Sequence, residues 1–230
     1  MRRKYWFLLG LCAQLSAMCF ANSGVHAQQL RPYFLVIVDT SGSMSGVSIV
    51  QAKEATAFAI SRLKPGDRFN VIEFNSHARS LFPAPMPADP ATTAAAQRFV
   101  AGLRANGGTE MKPALTAALA PPSLPGYARQ VFFLTDGAVG NEHELLKLIR
   151  ANLGDRRLYT IAIGPAPNAW FIRKAAQFGR GTSTFIGDVR DVRERMTALF
   201  EKLERPTLTD LSITWPVGAE VYPQQLPDLY

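Results

Sequence analysis

Cysteine is nearly missing from this chain. Its only two, Cys12 and Cys19, fall within the first twenty residues, in a stretch that reads as a removable leader. The mature chain is therefore expected to hold no disulfide, no thiolate metal site and no cysteine nucleophile. Histidine is almost as scarce. Beyond the leader only His77 and His143 remain, too few and too far apart for a zinc site. Past residue 27 no apolar run approaches the length of a membrane span. No Gly-x-Gly-x-x-Gly opens a helix after the first strand, and no Gly-x-x-x-x-Gly-Lys-Ser/Thr occurs, so nucleotide binding has no support. No dense basic run is interleaved with aromatics, which argues against nucleic acid.

Charge needs one correction. The formal net charge is +7, but Arg2, Arg3 and Lys4 belong to the leader, and without them it is +4. Residues 1–27 read as a signal peptide. Arg2-Arg3-Lys4 is the positive start, Tyr5 to Phe20 the apolar stretch, and Val25-His26-Ala27 a small-residue cleavage site before Gln28. A retained membrane anchor is the competing reading. The apolar stretch is short for that, and Asn22, Ser23 and Gly24 follow it at once. The expectation is an exported protein of the periplasm, cell envelope or extracellular space, with no membrane span in the mature chain.

What is present centres on Phe34-Leu35-Val36-Ile37-Val38-Asp39-Thr40-Ser41-Gly42-Ser43-Met44. Five apolar residues run unbroken into an acid, which suits a strand buried on both faces. Asp39, Ser41 and Ser43 alternate, so one tight turn can aim three oxygen side chains at a common point. Oxygen-only clusters suit hard cations such as Mg²⁺, Mn²⁺ or Ca²⁺. Enzyme readings of the stretch fail. Ser41 interrupts the Asp-Thr-Gly of an aspartic protease, a dehalogenase-type phosphatase wants an acid at 41, and Met44 stands where a nucleophile elbow needs serine. A strand followed by a Ser/Gly turn capping the next helix is the plainer alternative.

The rest alternates strand and helix. Ile49, Ala52, Ala55, Ala59 and Leu63 form a helical stripe, stopped by Pro65-Gly66. Phe69 to Phe74 reads as a strand and Ala78 to Phe82 as a short edge strand. Pro83, Pro85, Pro87 and Pro90 exclude regular structure around them. Helices are expected over 92–103 and 111–119, around a Gly107-Gly108-Thr109 loop. Val131 to Leu134 is a second apolar run ending in an acid, Thr135-Asp136-Gly137. A helix over 142–152, a strand over 158–163, a helix over 169–178, a short strand over 182–186 and a helix over 189–203 follow. The pattern predicts an α/β fold, a Rossmann-like, doubly wound, mostly parallel sheet flanked by helices. Pro206 reads as a boundary, and 205–230 as the start of a truncated β-rich module.

Asp39-x-Ser41-x-Ser43, Thr109 in its Gly-Gly-Thr loop and Asp136 in its Thr-Asp-Gly turn together resemble the von Willebrand factor type A domain, over about 31–204 of a domain bounded at 28–204. The resemblance implies a metal-ion-dependent adhesion site. Ser41, Ser43 and Thr109 would contact the ion through hydroxyls, and Asp39 and Asp136 would hold it mostly through waters. It also implies a protein partner whose Asp or Glu carboxylate completes the coordination. A narrower likeness, to the inter-alpha-trypsin inhibitor heavy chain type and its bacterial envelope relatives, rests on Leu63-Lys64-Pro65-Gly66-Asp67-Arg68-Phe69, on residues 107–115 and on Leu208-Thr209-Asp210-Leu211. That type places a β-rich VIT module first, and Gln28 to Tyr33 leaves no room for one. The reading is a non-enzymatic, cation-dependent binding domain. A metal-assisted hydrolase and a scaffold with a vestigial metal site are the alternatives.

Overall fold

The computed structural model describes residues 30–203. The expected leader and the expected β-rich tail lie outside the described residues.

Strand β1 (Arg31–Asp39) is the organising element. Its side chains alternate between two cores. Phe34, Val36 and Val38 face one cluster, and Tyr33, Leu35 and Ile37 the other. A strand with period two and apolar residues at every position must be covered on both sides. On one side of it lies β2 (Arg68–Phe74) and on the other β5 (Tyr127–Thr135), both parallel to it. Beyond β5 come β6 (Arg157–Ile163) and β7 (Ser183–Ile186), also parallel. At the far edge β3 (Ala78–Ser80) pairs antiparallel with β2. The sheet order is β3-β2-β1-β5-β6-β7.

Helices cover both faces. With Phe34, Val36 and Val38 pack α1 (Val47–Ser61), α2 (Pro90–Gly102) and α6 (Val192–Leu203). With Tyr33, Leu35 and Ile37 pack α3 (Met111–Leu119), α4 (Glu142–Asn152) and α5 (Ala169–Phe178). The first layer is locked by rings. Phe132 stacks on Phe200 of α6 at 5.5 Å between centroids, and Phe34 meets Phe132 edge-on at 5.2 Å. The doubly wound, mostly parallel sheet is as the sequence predicts. Among the described residues no helix is long and apolar enough to cross a membrane.

Four details differ from the sequence reading. Within the proline-rich loop, Met86–Pro87 form a two-residue strand β4, antiparallel to Phe69 and Arg68. An edge position tolerates a residue with no N–H. Helix α2 begins at Pro90, earlier than expected, because Asp89 and Thr92 cap it reciprocally: Thr92 N–H donates to Asp89 Oδ1 at 2.8 Å, and Asp89 N–H to Thr92 Oγ1 at 3.0 Å. Proline is favoured in that first turn. The helix expected over 189–203 opens with a tight 3-10 turn at Val189–Asp191, since Asp188 Oδ1 captures the Arg190 N–H at 2.8 Å. Of the expected α1 stripe, Ile49 is only partly buried and Leu63 lies past the helix's last residue, while the polar Gln51 and Thr56 are fully covered. Thr56 Oγ1 donates to the Ala52 carbonyl at 2.7 Å, and Gln51 Oε1 accepts the Gly164 N–H at 3.0 Å.

Candidate metal centre

All five sequence-predicted ligands lie at the carboxyl edge of the sheet, where parallel α/β sheets place their ligands. Asp39 ends β1 and is completely buried. Pairing of Val38 with Leu134 sets it level with Thr135 on β5. The Thr135 hydroxyl donates to Asp39 Oδ2 at 2.6 Å and accepts the Gly137 N–H at 2.9 Å. The other carboxylate oxygen, Oδ1, accepts the Ser41 N–H at 2.8 Å. One carboxylate thus binds the ends of two strands together.

After Asp39 the chain closes into a 3-10 turn over Gly42–Met44, with Met44 plugged into the core beneath it. That turn brings Ser41 Oγ and Ser43 Oγ to 3.1 Å. Ser41 is buried and Ser43 exposed, so the pair spans from the interior to the surface. Asp136 follows Thr135 and is half-buried. Its Oδ1 accepts the Ala138 N–H at 3.0 Å, and its carbonyl accepts the Asn168 N–H at 2.7 Å.

The loop bearing Thr109 is stitched to the turn by the backbone. Gly42 N–H donates to the Gly107 carbonyl at 3.0 Å, and Asn106 N–H to the Thr40 carbonyl at 2.8 Å. Gly107 is required here. Its φ is 72°, and a Cβ would come within 2.8 Å of Ser76 Oγ. Thr109 sits half-buried two residues further on.

The donor set fits a hard divalent cation. The oxygens at this edge are hydroxyls and two acids; among the described residues no group of three His, Cys, Asp or Glu is placed to hold a metal. Asp39 is pushed up to about 6 by burial. Hydrogen bonds from Ser41 and Thr135 act against that, and the charge of Asp136 adds to it. A buried carboxylate beside a second one is a place where a cation is favoured.

Several residues that hold the site were not singled out in the sequence. Thr40 Oγ1 donates to the Phe74 carbonyl at 3.1 Å, and Asn75 Nδ2 reaches both Thr40 Oγ1 at 3.3 Å and Asn106 Oδ1 at 3.0 Å. Thr135 is the most important of them. Its signal was its place directly before Asp136, as Thr40 directly follows Asp39. Glu73 pairs with Arg79 at 2.5 Å and accepts from Thr40 Oγ1 at 3.3 Å. Glu110 is the residue before α3 and donates its N–H to the Asn75 carbonyl at 2.8 Å. His77 and His143 are exposed, Phe171 is core, and Trp170 is half exposed.

Comparison with known proteins agrees with this fold. A model of the von Willebrand factor type A domain matches residues 34–185. The human von Willebrand factor A domain-containing protein 5B1 is 28% identical over 209 residues, covering 90% of this chain and 17% of that protein. The chain spans about a fifth of the length of the curated relatives it matches. A solved von Willebrand factor type A structure from Catenulispora acidiphila is similar at a TM-score of 0.68 and 30% identity, over 75% of this chain and 42% of that one. Proximal thread matrix protein 1 of the mussel byssus, solved with a zinc-occupied MIDAS motif, shares the fold at a TM-score of 0.57 and 14% identity, over 74% of this chain and 47% of that one.

Proposed function

The chain belongs to the von Willebrand factor type A family, and from that premise we propose that it is a divalent-cation-dependent protein-binding domain of an exported protein. The observation that carries this is the buried Asp39 carboxylate, fixed by Thr135 and Ser41 beneath two adjacent serine hydroxyls. Asp39, Ser41, Ser43, Thr109 and Asp136 would hold the ion. Mg²⁺ is the first choice, with Mn²⁺ and Ca²⁺ as alternatives, because the donors are oxygen only. A bound cation would supply a Lewis-acidic centre for an outside anion.

This chain's residues set how much charge remains for that purpose. Neutral hydroxyls would quench little of a cation's charge, and carboxylates acting mostly through waters would retain the ion while leaving it electrophilic. The exposed Ser43 and the half-buried Asp136 and Thr109 border the open side. A partner's Asp or Glu carboxylate is the ligand of matching chemistry. Asp39 is committed to hydrogen bonds from Thr135 and Ser41, and the stretch around it lacks the nucleophile motifs weighed in the sequence; binding rather than turnover is the reading favoured over a hydrolase.

The expected signal peptide supports an envelope or extracellular setting, and the inter-alpha-trypsin inhibitor type remains the proposed subtype. Calorimetric titration of Mg²⁺ and Mn²⁺ into the protein and an Asp39→Ala variant tests the site. Saturable binding lost in the variant supports it. Metal-dependent hydrolysis of generic phosphate or ester substrates, abolished by the same variant, would show an enzyme instead.

A further inference from the structure

Away from the metal centre, the outer surface of α4 and α5 carries a groove with a distinct chemistry. Helix α4 contributes His143, Leu146, Lys147 and Arg150, spaced to share one face. Helix α5 contributes Trp170, Lys174 and Phe178, again one stripe at i, i+4 and i+8. The recess between them is about 300 Å³. Leu146 and Phe178 form its apolar lining, Trp170 is 49% exposed at its upper end, and His143 lies edge-on to that indole at 5.8 Å. A second recess continues from it around Trp170 and Lys174 to Arg173 and Gln177.

The charges around this groove are all of one sign. Lys147, Arg150, Arg173 and Lys174 line the two recesses, and no carboxylate does. The acids at the start of α4 are turned elsewhere. Glu144 pairs with Lys112 at 2.5 Å and accepts from Asn141, while Glu142 accepts from Asn168 Nδ2 at 3.2 Å. Among the described residues Lys147 and Arg150 have no ion-pair partner. Lys174 has only Gln177 Oε1 at 3.1 Å, and Arg173 lies over the Phe185 ring at 5.4 Å. An exposed tryptophan beside an arginine without an ion-pair partner is the composition of a binding hot spot.

We propose that the α4–α5 groove docks an acidic peptide segment of a partner protein, with a large apolar side chain seated against Trp170, Leu146 and Phe178 and carboxylates on Lys147, Arg150 and Lys174. Charge complementarity selects an acidic occupant. The apolar lining selects one that also carries a hydrophobic anchor. A lipid surface is disfavoured because the apolar atoms are recessed between two helices, whereas a membrane-seated element projects a continuous apolar face. The groove's upper end lies close to the metal centre, since Asn168, two residues before Trp170, donates its N–H to the Asp136 carbonyl at 2.7 Å. The proposal needs no ion, however.

The test is fluorescence anisotropy of a short labelled peptide with the repeat Glu-Glu-Leu-Phe, and of its Lys-Lys-Leu-Phe counterpart, titrated with the full chain in EDTA. The acidic peptide is expected to bind saturably and to weaken as salt rises. The basic peptide is expected not to bind. Lys147→Glu combined with Lys174→Glu should reduce affinity at least about tenfold, and Trp170→Ala about fivefold. Both variants alter surface positions, and unchanged thermal melting establishes that they fold. No saturable change up to about 1 mM peptide, or equal binding by the variants, overturns the proposal. So does binding that appears only when Mg²⁺ is added, which belongs to the Asp39 centre. Capture of the chain by phosphatidylserine vesicles without peptide binding overturns it in favour of a lipid surface.

Discussion

The Thr135 hydroxyl donates to Asp39 Oδ2 at 2.6 Å, from the end of one central strand to the end of its neighbour. The same oxygen accepts the Gly137 N–H, so Thr135 holds the Asp39 carboxylate and the Asp136 turn in one arrangement. Replacing it with valine keeps the shape and removes both functions. Thr135→Val is expected to weaken Mg²⁺ binding by about tenfold, as loss of a group that orients a ligand does. It should also lower stability by about 1–3 kcal/mol, because a buried carboxylate loses a partner. Calorimetry and urea unfolding read the two effects, and unchanged metal affinity would refute the role.

Asp39 makes the metal-free protein sensitive to pH in a defined direction. Burial raises its folded-state value to about 6, well above the ordinary carboxylate range. The folded state therefore holds a proton that the unfolded state has already released. That stabilisation is full below about pH 4 and is lost as pH rises through about 6, amounting to about 3 kcal/mol at most. In EDTA, urea unfolding near pH 5 and near pH 7.5 should show the loss, and Asp39→Asn should abolish its Asp39-dependent part. A wild-type pH profile identical to that of Asp39→Asn would contradict the account.

Gly107 couples backbone shape to the placement of Thr109. With φ at 72° and Ser76 Oγ only 2.8 Å from a Cβ, alanine strains the loop in two ways. Gly107→Ala is expected to cost about 1–3 kcal/mol and to weaken metal binding by shifting Thr109. Gly46 has φ 75° with open space around its Cβ position, so Gly46→Ala carries backbone strain alone and is the matched control. Equal losses of metal affinity in the two variants would show that the Gly107 loop has no special part.

Phe200 anchors the last described helix. It stacks on Phe132 at 5.5 Å and meets Phe34 and Phe58 edge-on, each at 5.8 Å. Phe200→Ala should cost about 3–5 kcal/mol, measured by chemical denaturation. A loss under about 1 kcal/mol would show that α6 is held by other contacts.

The strands and the candidate site residues at their ends were legible because each announces itself locally. Val36-Ile37-Val38 before Asp39 and Phe132-Phe133-Leu134 before Thr135-Asp136 have no polar alternation, and that requires cover on both faces. The Gly107-Gly108-Thr109 loop was legible as a turn, and its likeness to a known family assigned it to the same site. The two-residue strand at Met86–Pro87 was not legible, because proline content describes the loss of donors and not the neighbouring edge that still accepts a short pairing. The polar face of α1 was not legible either. Gln51 is buried because the Gly164 N–H, 113 residues away in sequence, lies opposite it.

By itself the sequence determined the order of elements, the two-sided burial of the sheet and the oxygen chemistry at its edge. Those follow from side-chain period and residue type, which act between near neighbours. The tertiary structure alone decided that Thr135 grips Asp39, that Gly107 meets Gly42, and that cations of α4 and α5 line one groove with Trp170. Each of these joins residues distant in sequence, and only the register of β1 with β5 and the packing of helix on helix bring them within reach.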